Sequence, residues 1–184
     1  DVMQAVAKAQ ADGADAIVVA LLHAYANPAN ERAARDAILA AAPEMTVTLS
    51  SDVWPVIREY ERTVTATVAG YVQRRVANYI ASLQQALKTA GVPAEPMITK
   101  SNGGVMAAEL GKTDPIAILL SGTASGVIGA ADVALRIGAE DVLSFDVGGT
   151  SADVAVIRGG KPAFGVGEMV GEFPIYVPTV SVTS

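Results

Sequence analysis

The sequence predicts an α/β fold, and three observations carry that expectation. Residues 16–22 form a continuous apolar run of strand length. Residues 58–90 carry one apolar stripe at helical spacing. The last third, from residue 141 on, reads as successive strands broken by glycine-rich turns.

The elements follow in order. Residues 1–11 are expected to be helical, with Val2, Met3, Val6 and Ala7 apolar, and Gly13 ends the segment. The run at 16–22 suits a strand buried on both faces, as in a parallel or central position. Asn27 and Pro28 then start a helix over 28–42. Asn accepts a first-turn N–H, and Pro at the first helical position loses no needed donor. Residues 45–49 alternate and form a short strand. In the long helix, Tyr60, Val64, Val68, Tyr71, Val72, Val76, Tyr79, Ile80, Leu83 and Leu87 recur every three or four residues and define one face. Gly91 and Pro93 stop it. A strand at 96–99 leads into Ser101-Asn102-Gly103-Gly104, and a helix from residue 123 or 124 to 137 is ended by Gly138. Strands at 141–145 and 153–158 follow, and Gly159-Gly160 supplies the positive φ of a two-residue hairpin turn. Residues 161–166 and 174–182 complete the strands.

Composition excludes several function classes. The 184 residues are 51% hydrophobic and 17% charged, a balance that supports a packed core. The net charge is −6 with the basic residues scattered, which argues against nucleic acid as a partner. There is no cysteine, so disulfides, thiolate nucleophiles and cysteine metal sites are out, and a cytoplasmic protein is expected. No apolar stretch reaches the ~18 residues that a membrane span needs. The chain does not begin with Met and ends in a segment that reads as a strand cut short, so an internal piece of a longer protein is expected.

The strongest chemical signal is Phe145-Asp146-Val147-Gly148-Gly149-Thr150-Ser151-Ala152-Asp153, which lies between two strands. Gly148 and Gly149 allow a sharp turn and close approach to a ligand. Successive amides in such a turn form an anion-binding nest, and Thr150 and Ser151 add hydroxyl donors for phosphate oxygens. A carboxylate at the strand end, Asp146, can hold Mg²⁺ through water or orient an attacking water. The plain alternative is an ordinary hairpin with a polar tip. No Lys follows the glycines, so this is not a Walker loop, and no helix opens after them, so it is not the Rossmann pattern.

Asp-x-Gly-Gly-Thr on a hairpin resembles the phosphate motif of the actin, sugar-kinase and Hsp70 superfamily. The fuller FDVGGTSADVAVIRGGKP resembles the second phosphate motif of the hydantoinase A and 5-oxoprolinase family. LLHAYANPANE (21–31), VIREYERTVTATVAGYV (56–72), ITKSNGGVMAAE (98–109) and ILLSGTASGVIGA (118–130) match that family in the same order.

The resemblance implies a ribonuclease H-like mixed sheet with flanking helices, here incomplete. Residues 1–140 would end the first lobe, and 141–184 would begin the ATP-binding subdomain. The implied activity is ATP-dependent hydrolysis of cyclic amides such as 5-oxoproline or hydantoins, hence hydantoin utilization, by phosphorylation of the amide oxygen. The alternatives are an acetone or acetophenone carboxylase subunit and a non-catalytic actin-like scaffold. ATP and Mg²⁺ are the implied cofactors, and a second subunit or domain is the implied partner.

Within this frame Asp146 is the expected catalytic and metal-binding residue. Gly148, Gly149, Thr150, Ser151, Gly122 and Gly126 would hold phosphate, and Asn102 and Arg62 would meet substrate. Thr123 and Ser125 stand where the family has Pro and Gly, which leaves a Ser-Gly-Thr-Ala-Ser-Gly turn at a helix start. Hydroxyls and small residues there suit an anion at the positive end of a helix. The lone His23 has no second ligand near it in sequence and reads as structural.

Overall fold

The computed structural model describes residues 2–183. Helix α1 (Val2–Ala11) leads into β1 (Ala16–Val19), and α2 (Ala29–Ala41) carries the chain to β2 (Thr46–Leu49). The two strands pair in parallel, with Ala16 opposite Thr46 and Val19 opposite Leu49. Parallel neighbours need such a crossover. Val6, Val19, Ile38, Ala42, Met45 and Leu49 close the first core around it. Asn27 Oδ1 accepts the Ala29 N–H at 3.0 Å as expected of it, but Pro28 stands at the cap, one residue before α2, rather than inside it. The strand stops at Val19, short of the apolar run's end, because exposed Leu21 and Leu22 belong to a turn with His23 at φ 58°.

After the short α3 (Ser50–Val53), helix α4 (Glu59–Thr89) runs for 31 residues, about 46 Å. Its expected apolar face needs correcting. Tyr60, Tyr71 and Tyr79 are exposed, and the fully buried residues are Arg62, Thr65, Ala66, Ala69, Gly70 and Ile80. Close crossing explains this. A methyl group on Gly70 would lie 2.7 Å from Val18 Cγ2 and 3.1 Å from Thr48 Oγ1, so only small residues fit beneath the helix.

Strands β3 (Met97–Thr99) and β4 (Val105–Ala107) form a hairpin, followed by α5 (Ala108–Thr113), a 3-10 turn (Pro115–Ile118) and α6 (Ser121–Arg136). Then β5 (Val142–Val147), β6 (Ala152–Arg158) and β7 (Lys161–Pro162) make an antiparallel sheet in that order. Gly159 and Gly160, at φ 55° and 70°, make the β6–β7 turn as expected. Strands β8 (Phe164–Val170) and β9 (Phe173–Val180) pair antiparallel.

Two cores bind the last third to the rest. Ala124, Val127 and Ala131 of α6 pack on Ala155, Ile157 and Val180. Ala69 of α4 and Ile116 pack on Ile175 and Val177 of β9. The α/β class is as expected. The strands form four separate sheets among the described residues, one parallel pair and three antiparallel, rather than one mixed sheet. Among the described residues β5 pairs with β6 alone, and no strand links the hairpin sheet to the parallel pair. No helix among the described residues is long and apolar enough to cross a membrane.

Candidate functional site

The β5–β6 register places Asp146 opposite Asp153 and Val147 opposite Ala152. The Gly148 N–H donates to Ser151 O at 2.9 Å and closes a tight turn with Gly149 and Thr150 at its tip. Residues 148–151 are all exposed. The glycines' expected contribution changes here. Neither takes the left-handed conformation. What they leave is space: a methyl group on Gly149 would meet nothing within 4 Å, and one on Gly148 only Ser151 O at 3.5 Å.

Alternation along paired strands puts Val142, Ser144 and Asp146 on the same face as Asp153, Ala155 and Ile157. Val142, Ala155 and Ile157 pack on α6, so both aspartates sit on the α6 side. Thr123 Oγ1, in the first turn of α6, donates to Asp153 Oδ2 at 3.3 Å. Like charges directly opposite across a ladder repel, and the positive start of a helix offsets part of that. α6 has no acidic residue in its first turn and no side-chain cap. Leu120, at the cap position just before it, is held at φ 58°. Non-glycine residues in this region cost about 1–3 kcal/mol and cluster at functional sites.

A cavity of about 230 Å³ lies between these parts, lined by Ser101, Leu120, Thr123, Ser151, Asp153, Glu168 and Thr179 among others. Thr179 Oγ1 and Glu168 Oε1 are 3.3 Å apart across it. The structure thus brings Ser151 and the α6 start together. Gly122 and Gly126 lie on the exposed face of α6, where an added methyl group would meet nothing within 4 Å.

The two expected substrate residues lie elsewhere. Asn102 lines a second cavity and uses its side-chain oxygen to accept the Gly104 N–H at 3.0 Å. Arg62 is 1% exposed, and each of its nitrogens is hydrogen bonded, to Ser50 Oγ, Val56 O and Leu21 O at 3.0, 2.7 and 2.7 Å. It does not pair with Glu61, which instead meets Arg58 at 3.3 Å. Arg62 therefore fastens the start of α4 to the turn after β1, and the geometry gives it no substrate contact. Its electrostatic counterpart is the fully buried Glu31, which accepts from Ser50 Oγ at 2.6 Å, Leu21 N at 2.8 Å and Ser51 N at 2.9 Å. Burial pushes the Glu31 carboxyl up, but these hydrogen bonds outweigh it and hold it below the usual range.

Asp153 was within reach of sequence reasoning, because a turn at 148–151 fixes it opposite Asp146. Glu168 and Thr179 were not, since β8 and β9 reach the cavity only through tertiary packing.

Within the α/β frame the exposed Gly-Gly-Thr-Ser turn, through Ser151, and the uncapped start of α6, through Leu120 and Thr123, line one cavity. The sequence pattern of the hydantoinase/oxoprolinase family matches residues 62–184, and the chain belongs to that family. Over 178 residues it is 32% identical to the acetone carboxylase beta subunit of Xanthobacter autotrophicus, covering 93% of this chain and 24% of that subunit. It is 29% identical over 167 residues to the caprolactamase subunit alpha of Pseudomonas jessenii, covering 91% and 24%. The nucleotide-free structure of acetone carboxylase matches with a TM-score of 0.88 at 28% identity, over 99% of this chain and 26% of that one. The chain thus spans about a quarter of the length of these relatives.

Proposed function

We propose that this chain is part of an ATP-dependent enzyme that opens cyclic amides, and that the β5–β6 hairpin is one of its phosphate grips. The carrying observation is the placement of Asp146 and Asp153 on the α6 side of an exposed turn with open space at Gly149. In this reading the protein has a ribonuclease H-like core completed by chain outside these residues, acts in the cytoplasm and works with a second subunit. That relatives carry subunit designations supports the last point.

The residues fit a nucleotide with its cation. The amides of residues 149–151 and the hydroxyls of Thr150 and Ser151 suit phosphate oxygens. The α6 start, with Gly122 and Gly126 open to approach, suits a second anionic group. Asp146, an exposed carboxylate across from Asp153, suits Mg²⁺ that keeps most of its waters. Bound ATP supplies the phosphoryl group that turns an unreactive amide oxygen into a leaving group. The chain's own part is to hold that donor in line, screen its charge and keep Asp146 positioned toward the attacking water.

The carboxylase reading keeps the same hairpin and is favoured by the match to acetone carboxylase. Mg²⁺-dependent phosphate release by the full-length parent with its partner separates the two. Release driven by 5-oxoproline, hydantoin or caprolactam, with ring-opened product, supports the amide hydrolase. Release driven only by a ketone with bicarbonate replaces it with the carboxylase. Nucleotide binding without stimulated release leaves a scaffold.

A further inference from the structure

A second cavity, also about 230 Å³, shares a wall with the first. Lys100 and Asn102 line the second, while Ser101 between them lines the first. On β9, Val177 and Pro178 line the second, and Thr179 and Val180 the first. The wall is tied together: Ser101 N donates to Ala117 O at 2.8 Å, and Val180 N donates to Ser101 O at 2.9 Å.

Trp54, Ile116 and Val177 make this second cavity partly apolar, and Lys100, Asn102 and Asp114 face into it. Among the described residues, the Lys100 ammonium and the Asp114 carboxylate have no partner. Asp114 precedes the 3-10 turn, where a carboxylate commonly caps, yet makes no capping bond. Asn102 uses only its oxygen, so its NH₂ group is available. The turn that carries Lys100 and Asn102 is rigid: Lys100 N donates to Gly104 O at 2.8 Å, and Gly103 N to Lys100 O at 2.9 Å. Gly103 sits at φ 80°, with Ile128 Cδ1 1.8 Å from where a methyl group would be.

Such a cavity, apolar with a few convergent polar groups, is the usual form of a small-molecule site. Its volume, below the ~300 Å³ of drug-sized pockets, suits a small ligand. Lys100 and Asn102 donate, so they call for carbonyl or carboxylate oxygens. Asp114 accepts, so it calls for an N–H on the same ligand. A small ring amide offers both. A simple ketone offers no N–H and would leave the carboxylate desolvated without a donor.

We propose that the Lys100–Asn102–Asp114 cavity binds the cyclic amide, beside the cavity that receives phosphate. This inference rests on the cyclic-amide reading above, and it assigns the N–H of the ring to Asp114 and an oxygen to Lys100.

The test uses the full-length parent with its partner and saturating MgATP, titrating 5-oxoproline, hydantoin and caprolactam while phosphate release is followed. Asp114→Ala and Lys100→Ala should each raise the amide KM about tenfold, the effect of losing one charge-assisted hydrogen bond. Asp114→Asn, which keeps an acceptor oxygen, should recover part of that. The affinity for MgATP and the thermal midpoint should stay unchanged. If the wild type turns over an amide and both alanine variants keep its KM within about twofold, the cavity assignment falls and the function stands. If the wild type releases no phosphate with any cyclic amide, both fall.

Discussion

Arg62 and Glu31 are buried charges that form no direct ion pair; Ser50 Oγ sits between them, accepting from one and donating to the other. Nothing local in the sequence shows this, because Glu31, Ser50 and Arg62 come from three helices and meet only when β1 and β2 pair. A charged residue in a first helical turn looked like a substrate contact and proved to be an anchor. The consequence is a pH dependence. Glu31 is held below its usual value of 4.5, so its unfolded form binds a proton first. Its stabilisation is full above about pH 4.5 and is lost as pH falls through the lower folded value. Urea unfolding at pH 7 and in steps below pH 4.5 should show that loss, and Glu31→Gln should be less stable at pH 7 with a flatter acid limb. An unchanged acid limb would mean that other carboxylates control it. Asp146 is the opposite case: exposed, at a strand end and legible from its motif. Asp146→Ala should leave the thermal midpoint of the parent within about 0.5 kcal/mol equivalent and abolish stimulated phosphate release. A variant that unfolds would make the residue structural.

Glycines divide the two main helices by what they pack against. On α4, Gly70 lets the helix lie on β1 and β2, and the nearest side-chain atom to an added methyl group would be 2.7 Å away. On α6, Gly122, Gly126 and Gly129 face open space and weaken the helix for no packing reason. Gly70→Ala should therefore cost about 1–3 kcal/mol through overpacking, whereas Gly126→Ala and Gly129→Ala should each stabilise by up to ~1 kcal/mol. If the α6 start receives phosphate, Gly126→Ala should also lower ATP turnover in the parent while Gly129→Ala, nearly a turn further on, does not. Denaturant midpoints and phosphate release, read side by side, check this. Stabilisation with full turnover in both variants would remove Gly126 from the site. The long helices were legible because their period and stop signals span many residues. α3, β4 and α5, of 4, 3 and 6 residues, were not, being too short to show any period. The α4 stripe was read correctly at Val64, Val68, Val72 and Val76, which are half-buried, and misread at the tyrosines, because periodicity cannot tell a small-residue crossing from a large apolar one.

At the scale of the molecule, the line expected at residue 140 runs through two hydrophobic cores. Ile157 and Val180 complete the core under α6, and Ile175 and Val177 complete the one against α4 and Ile116. All four are at most 4% exposed. Burying a Val or Ile fully contributes about 1.5–3 kcal/mol, so together they account for ~6–12 kcal/mol, as much as a typical domain's whole stability of ~5–15 kcal/mol. The sequence showed strands after 140 and a helix before it that packs on them, as α6 does, but not that β9 reaches back to α4, since that depends on contacts such as Tyr176 N to Thr65 Oγ1 at 3.0 Å, 111 residues apart. Residues 1–140 alone should therefore lose cooperative packing. A truncated chain should bind a hydrophobic dye and melt broadly, while the 184-residue chain melts as one transition with little dye bound. The parallel β1–β2 unit keeps its own core of Val6, Ile38 and Met45 and should retain helical signal in the truncation. A sharp melt for residues 1–140, without dye binding, would instead mean that the two parts fold independently and meet only as lobes.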